Sequence, residues 1–291
     1  MLIFLISLII VSHLTVPLSS LVSTIDAGAG MGYPRRRITN SFEPIIDSES
    51  AIAVDISSKK ILFQKNGFEP RPIASITKLM TALVFLDQNP DMEQVVLVTQ
   101  DDNGTGGPIQ ILPGESIKLE HLFKCALVGS INNAAYEIAL ASGVGYDEFI
   151  GKMNQKATEI GMKNANFVEP TGLSENNTAT AEDVAILLRE ALYYEQINEV
   201  LLLPGYGFIS EDGKQHYVKN TNLLLKSYLD IEGGKTGYID EAGFCLVNLV
   251  RHAQCPQGIV VVILGAKSKE DRFQQNKFLA QWVFDNWKWE N

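Results

Sequence analysis

Ser75 and Lys78 are residues whose types and spacing fit a nucleophile and its base. They are three residues apart, so in a helix that begins here they share one face of the first turn. The following residues, 79–86, are apolar on almost every side, which is typical of a helix buried in a core. Burial disfavours the charged form of a lysine and lowers its pKa, and a serine beside such a base is a candidate nucleophile.

The same Ser-x-x-Lys spacing occurs at Ser57 and Lys60, where the context differs. Residues 51–55 and 61–64 are typical of two strands, so this second pair lies in the polar turn that joins them. The match at Ser57 and Lys60 is therefore not expected to be a catalytic pair. Taken alone, the Ser75 pair also fits a helix cap beside a lysine that extends its charge into solvent.

Two further segments place small polar residues in unexpected positions. Ser130 and Asn132 lie at a tight link between two predicted helices, where short side chains can project into a cleft. Lys235, Thr236 and Gly237 fall within a strand pattern, directly after two glycines. Glycine in a strand often marks the close approach of a ligand or another backbone. Each segment alone also fits an ordinary loop or a bulged edge strand.

The order of the predicted elements suggests how these residues are positioned. Hydrophobic periodicity predicts strands over 51–55, 61–64, 231–238, 243–250 and 259–265, and helices over 75–89, 119–128, 134–141, 146–160, 181–193 and 271–287. Strands lie at both ends of the sequence and helices in the middle. We therefore expect an α/β (α+β) fold in which both chain ends form one antiparallel sheet flanked by helices, with an inserted helical region.

Composition limits the classes of function. The 291 residues are 46% hydrophobic and 20% charged, as in a globular protein, and the net charge of −10 argues against a nucleic-acid partner. Cys125, Cys245 and Cys255 form no C-x-x-C pair and histidine is scarce, so neither a metal site nor a cofactor is predicted. Cys125 and Cys245 are expected in the core, and Cys255 as a free thiol in a loop.

The N-terminus is too apolar for a protein surface. Residues 1–25 contain no Asp, Glu, Lys or Arg, and they predict a signal peptide or an uncleaved membrane anchor. Residues 26–45 are then a linker and 46–291 a single domain. We expect export to the periplasm or the outer face of the cytoplasmic membrane. A basic start and an A-x-A cleavage site are missing, so a mis-assigned start codon before a soluble protein is the alternative.

Three tryptophans near the C-terminus allow two interpretations. Trp282, Trp287 and Trp289 could form a membrane-contacting face, but such residues more often pack a terminal helix onto its sheet.

In this order and context, the three motifs resemble those of the low-molecular-mass penicillin-binding proteins, the serine-type D-alanyl-D-alanine carboxypeptidases of peptidase family S11 and related endopeptidases. The similarity covers about residues 48–282. It includes the segments 78–82, 169–173, 234–238 and 241–247.

The resemblance implies a β-lactamase/DD-peptidase-like fold for residues 46–291 and an acyl-enzyme on Ser75. The implied partners are peptidoglycan stem peptides and β-lactam antibiotics. Lys78 is the implied base, Ser130 the residue that passes the proton to the departing amine, and Asn132 the residue that holds Lys78 and the peptide amide.

The implied substrate-binding residues are Lys235, Thr236, Gly237 and Tyr238. Lys235 and Thr236 suit a terminal carboxylate, and the backbone N–H groups of Ser75 and Tyr238 suit an oxyanion. Arg272 takes the place of an arginine frequent in the family, although a role on the helix surface is equally compatible with its position.

Four functions, three enzymatic and one non-catalytic, are compared with this resemblance. D-Alanyl-D-alanine carboxypeptidase is the main hypothesis, and a DD-endopeptidase on the same site is the alternative, because fold and motif do not determine the substrate. A class A β-lactamase would use Glu169 for deacylation, but the Thr171-Gly172-Leu173-Ser174 sequence that follows is typical of the peptidases. A non-catalytic penicillin-binding sensor would be expected to have a broken set of motifs, whereas this set is intact.

Overall fold

The computed structural model describes residues 32–38, 42–99 and 111–290. The strands are β1 Tyr33–Arg36, β2 Ser50–Asp55, β3 Ile61–Lys65, β4 Arg71–Pro72, β5 Val95–Leu97, β6 Ser116–Lys118, β7 Thr178–Ala179, β8 Gly205–Ile209, β9 Gln215–Lys219, β10 Asp230–Ile239, β11 Gly243–His252, β12 Cys255–Ala266 and β13 Trp287–Glu290. The helices are α1 Thr77–Asp87, α2 Leu119–Val128, α3 Asn132–Leu140, α4 Tyr146–Ile160, α5 Ala181–Ala191, α6 Glu195–Leu202 and α7 Lys269–Asn286.

Strands from both ends of the sequence form one antiparallel sheet, as predicted. Its order is β10-β11-β12-β2-β3, so β12 from the C-terminal part pairs directly with β2 from the N-terminal part. The Val260–Ile263 segment of β12 and its β2 partners are apolar on both faces, which is typical of a strand covered on both sides. The β10 strand lies at one edge and carries the Lys235-Thr236-Gly237 motif.

Two hydrophobic cores cover the two faces of the sheet. One face packs against α7, whose Phe273, Leu279 and Val283 join a cluster with the sheet residues Val261 and Ile263. The other face packs against α5, and its core continues into α1 and the helical region formed by α2 to α4. The buried α1 helix therefore lies among the other helices, and the 3-10 turn that leads into it contacts the edge strand β10.

Several elements follow from local signals in the sequence. Helix α5 begins with a capping box, in which the Thr180 hydroxyl accepts from the Asp183 N–H and the Asp183 carboxylate accepts from the Thr180 N–H. Helix α4 ends at Gly161, whose φ of 90° is the left-handed conformation that glycine adopts readily. The hairpin of β8 and β9 turns at Asp212 and Gly213, also as predicted.

The predicted linker over residues 26–45 is wrong for part of its length. Tyr33–Arg36 forms β1, which pairs with the C-terminal strand β13. The Trp289 indole N–H donates to Asp55 on β2, and Trp282 and Trp287 are buried. The tryptophans thus pack the C-terminal elements onto the sheet. Sequence periodicity does not predict β13 or α6, because a four-residue ribbon and a short helix carry too few repeats.

The predicted loop position of Cys255 is also wrong, because this residue begins β12 and is buried. Cys125 and Cys245 are buried as expected, and all three are free thiols. The predicted leader at 1–25 and a predicted loop at 101–108 lie outside the described residues. Within the described ranges, no helix is both long and apolar enough to span a membrane.

Candidate active site

Ser75 lies in a short 3-10 turn, Ala74–Ile76, that leads directly into α1. The prediction of a shared helical face is therefore confirmed in a tighter geometry. Ala74 has a φ of 48°, a conformation that a residue with a Cβ adopts only at a cost in energy. This backbone presents Ser75, which is partly accessible, at the start of a helix whose first two turns are buried.

Lys78 is buried, with 1% of its surface exposed, and its partners define its chemistry. Its Nζ donates to Asn132 Oδ1 at 2.7 Å and to the Thr171 carbonyl at 2.6 Å, and lies 2.9 Å from Ser75 Oγ. Amide and carbonyl oxygens can only accept, whereas a serine hydroxyl can also donate. A neutral Lys78 amine that donates to those two oxygens therefore directs its lone pair at the Ser75 hydroxyl.

Ser130 and Asn132 reach the same site from the link between α2 and α3. Ser130 has a φ of 61°, again a strained conformation for a residue other than glycine. Asn132 is the first residue of α3 and is 3% exposed. Its Oδ1 contacts Lys78, whereas its buried Nδ2 has no hydrogen-bond partner in the described structure. That amide N–H group is available to an acceptor on a ligand.

Lys235 reaches the site from the edge strand β10. It is 1% exposed, and its Nζ donates to Ser130 Oγ at 2.7 Å and to the Thr236 carbonyl at 3.2 Å. Burial, then the neighbouring positive charge of Lys78 and finally that of Arg272, hold the pKa of Lys235 well below its ordinary value of 10.5. A bound carboxylate would supply a negatively charged partner for this buried amine.

Two glycines allow the backbones around Ser75 to approach each other closely. A Cβ on Gly237 would lie 2.7 Å from the Ile73 carbonyl and 3.1 Å from the Ser75 N atom. A Cβ on Gly172, whose φ is 84°, would lie 2.1 Å from the Ala74 carbonyl. Only glycine fits at both positions without displacing the Ser75 turn, so β10 and the 169–173 loop enclose the turn between them.

The motif residues face one cleft of about 730 Å³. Ser75, Ser130, Thr236, Gly237 and Tyr238 line it. Tyr238 is 45% exposed, stacks on Phe244 and donates its hydroxyl to Asp240. The structure thus brings all eight predicted residues to this cleft or directly beneath it.

Arg272 does not lie on the helix surface, which corrects one of the two expectations for it. It is 5% exposed, and its guanidinium donates to the Gly237 carbonyl at 3.0 Å and the Cys245 carbonyl at 3.4 Å. Burial lowers its pKa to about 10. Arg272 therefore ties α7 to the strand edge on which Gly237 lies.

Glu169 organises its own loop. One carboxylate oxygen accepts from the N–H and hydroxyl of Thr171, and the other accepts from Gly172 N–H and the Asn177 side chain. These contacts fix the Thr171 carbonyl that receives Lys78. Both oxygens are thus engaged within the loop, in contrast to a glutamate that activates a water molecule for deacylation.

Sequence reasoning missed two contributors to the site. The Thr221 hydroxyl lies 2.7 Å from the Thr236 hydroxyl, and Thr221 lines the cleft. A polar Asn220-Thr221-Asn222 triplet ahead of β10 was the available signal. The Thr171 carbonyl is a backbone group, so no side-chain pattern marks its role.

A serine hydrogen-bonded to a buried lysine, beside a second serine–lysine pair, is the arrangement expected of a serine acyl-transfer enzyme. The family comparison agrees with this class. The model of peptidase family S11, described as D-alanyl-D-alanine carboxypeptidase, matches residues 38–268. The chain belongs to this family of low-molecular-mass penicillin-binding serine peptidases.

Characterised relatives carry two kinds of name. The chain is 30% identical over 248 residues to the D-alanyl-D-alanine carboxypeptidase DacF of Bacillus subtilis, covering 83% of this chain and 63% of that protein. It is 33% identical over 249 residues to the D-alanyl-D-alanine endopeptidase of Escherichia coli, covering 84% and 80%. The chain therefore spans less than two thirds of the length of the Bacillus carboxypeptidase.

Solved structures support the fold. A single-residue mutant of the Streptomyces K15 DD-transpeptidase superimposes with a TM-score of 0.75 at 25% identity, covering 84% of this chain and all of that one. Penicillin-binding protein D2 from Listeria monocytogenes, in its ampicillin-bound form, gives a TM-score of 0.73 at 25% identity, covering 84% and 100%. The predicted β-lactamase/DD-peptidase-like architecture is confirmed.

Proposed function

We propose that this protein is a serine-type D-alanyl-D-alanine carboxypeptidase that removes the terminal D-alanine from peptidoglycan stem peptides through a Ser75 acyl-enzyme, and that penicillin inhibits it by acylating the same serine. One observation carries the proposal. Ser75, Lys78 and Asn132 form one hydrogen-bonded group, Ser130 and Lys235 form another, and both meet at one cleft.

The first step is nucleophilic attack. Lys78 accepts the Ser75 proton, and Ser75 Oγ forms a bond to the carbonyl carbon of the penultimate D-alanine. The backbone N–H groups of Ser75 and Tyr238 stabilise the oxyanion, an interaction worth about 3 kcal/mol per donor. The close packing of Gly237 against the Ser75 N atom supports this pairing of donors.

The second step is departure of D-alanine. The amine of the departing D-alanine needs a proton as the C–N bond breaks, and Ser130 passes to it the proton that Lys78 took from Ser75. Its contact with Lys235 at 2.7 Å supports this path. The unpartnered Nδ2 of Asn132 is placed to donate to the carbonyl of the substrate backbone. Water then hydrolyses the ester on Ser75.

The terminal carboxylate is the group that selects the substrate. Lys235 offers a point charge and Thr236 a hydroxyl at the same place, and a carboxylate can accept from both. The lowered pKa of Lys235 supports this role, because an anion bound beside a buried amine restores its charged form. A free terminal carboxylate is present in a pentapeptide stem.

Fluorescent penicillin tests the nucleophile. It should label the purified protein covalently, and Ser75→Ala should abolish the labelling. Ser57→Ala is the matched control, because Ser57 begins the second Ser-x-x-Lys and lies in the turn between β2 and β3. Loss of labelling in Ser57→Ala with retention in Ser75→Ala would contradict the assignment.

Product analysis tests the reaction. Purified enzyme incubated with a muropeptide pentapeptide should release free D-alanine, measured together with the masses of the products. An endopeptidase acting on the same site is the second candidate, and it is favoured by the 33% identity and 80% coverage of the Escherichia coli endopeptidase. Cleavage of cross-linked dimers without any release of D-alanine would establish that candidate.

The location follows from the substrate. We propose that the folded domain acts outside the cytoplasmic membrane, where peptidoglycan is accessible, and that residues 1–25 direct its export. The support is the family assignment together with the apolar, charge-free composition of this segment. Contact with the membrane through the same segment is part of this proposal.

A further inference from the structure

One wall of the cleft is cationic, although the protein as a whole is acidic. Lys219, Lys226, Lys269 and Arg272 line the cleft, and none of the described lining residues is an aspartate or a glutamate. The net charge of the chain is −10. A cleft with one sign of charge concentrates ligands of the opposite sign, so this wall favours an anionic ligand despite the repulsion from the rest of the protein.

This wall lies beside the residues proposed to hold the terminal carboxylate. Thr221, two residues after Lys219, is hydrogen-bonded through its hydroxyl to Thr236. Lys226 ends the 3-10 helix that follows Thr221, and Lys269 begins α7. Because Thr236 marks the leaving-group side of the scissile bond, the lysines extend the cleft on that side.

Hydrogen bonds to other elements hold the segment that carries Lys219 and Lys226. The Asn220 side chain donates to the Leu203 carbonyl at 2.8 Å, and the Asn222 side chain donates to Asn248 on β11 at 2.6 Å. The backbone N–H of Thr221 donates to the Val128 carbonyl at the end of α2. Residues 220–222 are thus tied to the sheet and the helical region.

The positive charges of Lys219, Lys226 and Lys269 are available to a ligand. All three side chains are exposed, and in the described part of the chain none forms an ion pair with a carboxylate. Other lysines in that part are paired, as Lys118 is with Glu93 and Lys124 with Glu120. An anionic group that enters the cleft therefore need not displace a protein carboxylate from any of these lysines.

We infer that Lys219, Lys226 and Lys269 form a subsite for a second carboxylate, carried by the leaving group in addition to its terminal one. The inference rests on the proposed function, because Lys235 and Thr236 hold the first carboxylate there. The preferred leaving group is then an acidic D-amino acid, or a peptide with a further carboxylate, rather than a neutral residue of the same size.

Two peptides that differ only in the leaving residue test this subsite. Both end in D-Ala-D-Xaa, with D-Glu in one and the neutral, similarly shaped D-Gln in the other. At low ionic strength, kcat/KM should favour D-Glu by about three- to tenfold, and added salt should reduce the ratio, because exposed charge pairs are weak and screened. In Lys219→Gln/Lys226→Gln/Lys269→Gln the ratio should fall to about one.

The matched control is Lys163→Gln, because Lys163 is exposed and does not line the cleft. This variant should keep the wild-type ratio of kcat/KM for the two peptides. Labelling by fluorescent penicillin reports whether each variant is folded. If the triple variant is not labelled, the three single variants are compared instead, and each should lower the ratio by about twofold.

A second measurement separates this inference from the proposed function. The same two peptides compete with fluorescent penicillin for Ser75, and this competition requires no turnover. Absence of D-alanine release from a D-Ala-D-Ala peptide would overturn the carboxypeptidase assignment, while stronger protection by the D-Glu peptide would still support the subsite. Equal protection by both peptides in the wild type, or an undiminished preference in the triple variant, would overturn the subsite.

Discussion

Lys78 and Lys235 are both buried, yet their partners give them different chemistry. Lys78 contacts two obligatory acceptors and the nucleophile, whereas Lys235 contacts Ser130 and a backbone carbonyl. Burial, and then the positive charge of Lys78, lower the pKa of Lys235. These contacts support the proposed roles of Lys78 as the base and of Lys235 as a carboxylate-binding residue.

Replacement of Lys78 by arginine separates its charge from its basicity. Lys78→Arg should fold but acylate at least about a hundredfold more slowly at neutral pH, because a guanidinium stays protonated and cannot accept the Ser75 proton. The measurement is the rate of labelling by fluorescent penicillin, with thermal unfolding as the check on folding. A folded variant that acylates at nearly the wild-type rate would remove Lys78 from the role of base.

Lys235 is expected to reduce the stability of the fold at neutral pH. The folded protein loses the Lys235 proton at a lower pH than the unfolded chain, whose value is near 10.5. The unfolded state therefore binds more protons between these two pKa values, so stability rises with pH across this window. Lys235→Met should raise the free energy of unfolding at neutral pH by about 1–3 kcal/mol, since it removes a buried amine whose charged form the fold disfavours.

Unfolding in denaturant at a series of pH values checks this expectation. The advantage of Lys235→Met should shrink as the pH rises toward 10.5, because the wild-type amine then becomes neutral in both states. Lys163→Met, the same substitution at an exposed lysine, is the control. A Lys235→Met protein that is less stable than the wild type at neutral pH would contradict the proposed cost of this lysine.

At the scale of elements, the site depends on how closely β10 approaches the Ser75 turn. The turn is held between β10 on one side and the 169–173 loop on the other, and a glycine stands at each contact. Arg272 donates to the carbonyl of Gly237 and so connects α7 to the same strand edge. The positions of Ser75 and Tyr238 relative to each other thus depend on backbone packing as well as on side chains.

Gly237→Ala tests this approach. The added Cβ would lie 2.7 Å from the Ile73 carbonyl, so β10 or the Ser75 turn must shift. The acylation rate should fall by roughly a hundredfold, as expected when oxyanion donors are displaced. Gly151→Ala is the control, because this helical glycine has nothing within 4 Å of the added Cβ and should gain about 0.5–1 kcal/mol of stability.

If penicillin labels Gly237→Ala as fast as the wild type, the packing argument is contradicted, because the distance between β10 and the Ser75 turn then does not control the oxyanion site. A loss of labelling in Gly151→Ala would instead show that the assay reports general destabilisation.

At the scale of the whole molecule, the two ends of the sequence meet in one sheet. β12 pairs with β2, and β13 pairs with β1, so the N-terminal segment is tied to the C-terminal strands. Ser75, the proposed nucleophile, follows the N-terminal hairpin, and β10, which carries the proposed carboxylate-binding residues, belongs to the C-terminal half. A complete site therefore requires that both ends have folded together.

Export is the prediction for the whole molecule. A reporter that is active only outside the cytoplasm, fused after Asn291, should be active in cells that produce the full chain. The same fusion without residues 1–25 should be inactive, because the charge-free apolar segment is then missing. Activity of a cytoplasm-specific reporter on the full chain would contradict an extracytoplasmic enzyme.

The sequence by itself determined the chemical class of the site and the type of most elements. Lys78 stands out because it interrupts an apolar helix, and the Ser130 and Lys235 motifs interrupt a helix link and a strand in the same way. Periodicity located α2 and α4 at their observed bounds, because amphipathic and buried helices repeat over several turns. The same signal indicated that strands from both chain ends share one sheet.

Only the tertiary structure decided which residues contact each other across the cleft. The Thr171 carbonyl, the Thr221 hydroxyl and the guanidinium of Arg272 reach the site over distances of many residues, so no local pattern records them. Ser57 and Ser75 carry the same spacing, and the strand pattern around Ser57 already predicts its turn, but only the structure places Ser75 in a strained turn beside Gly237. The physical reason is that spacing along the chain specifies a helix face, whereas an active site depends on contacts between elements that only the packed core brings together.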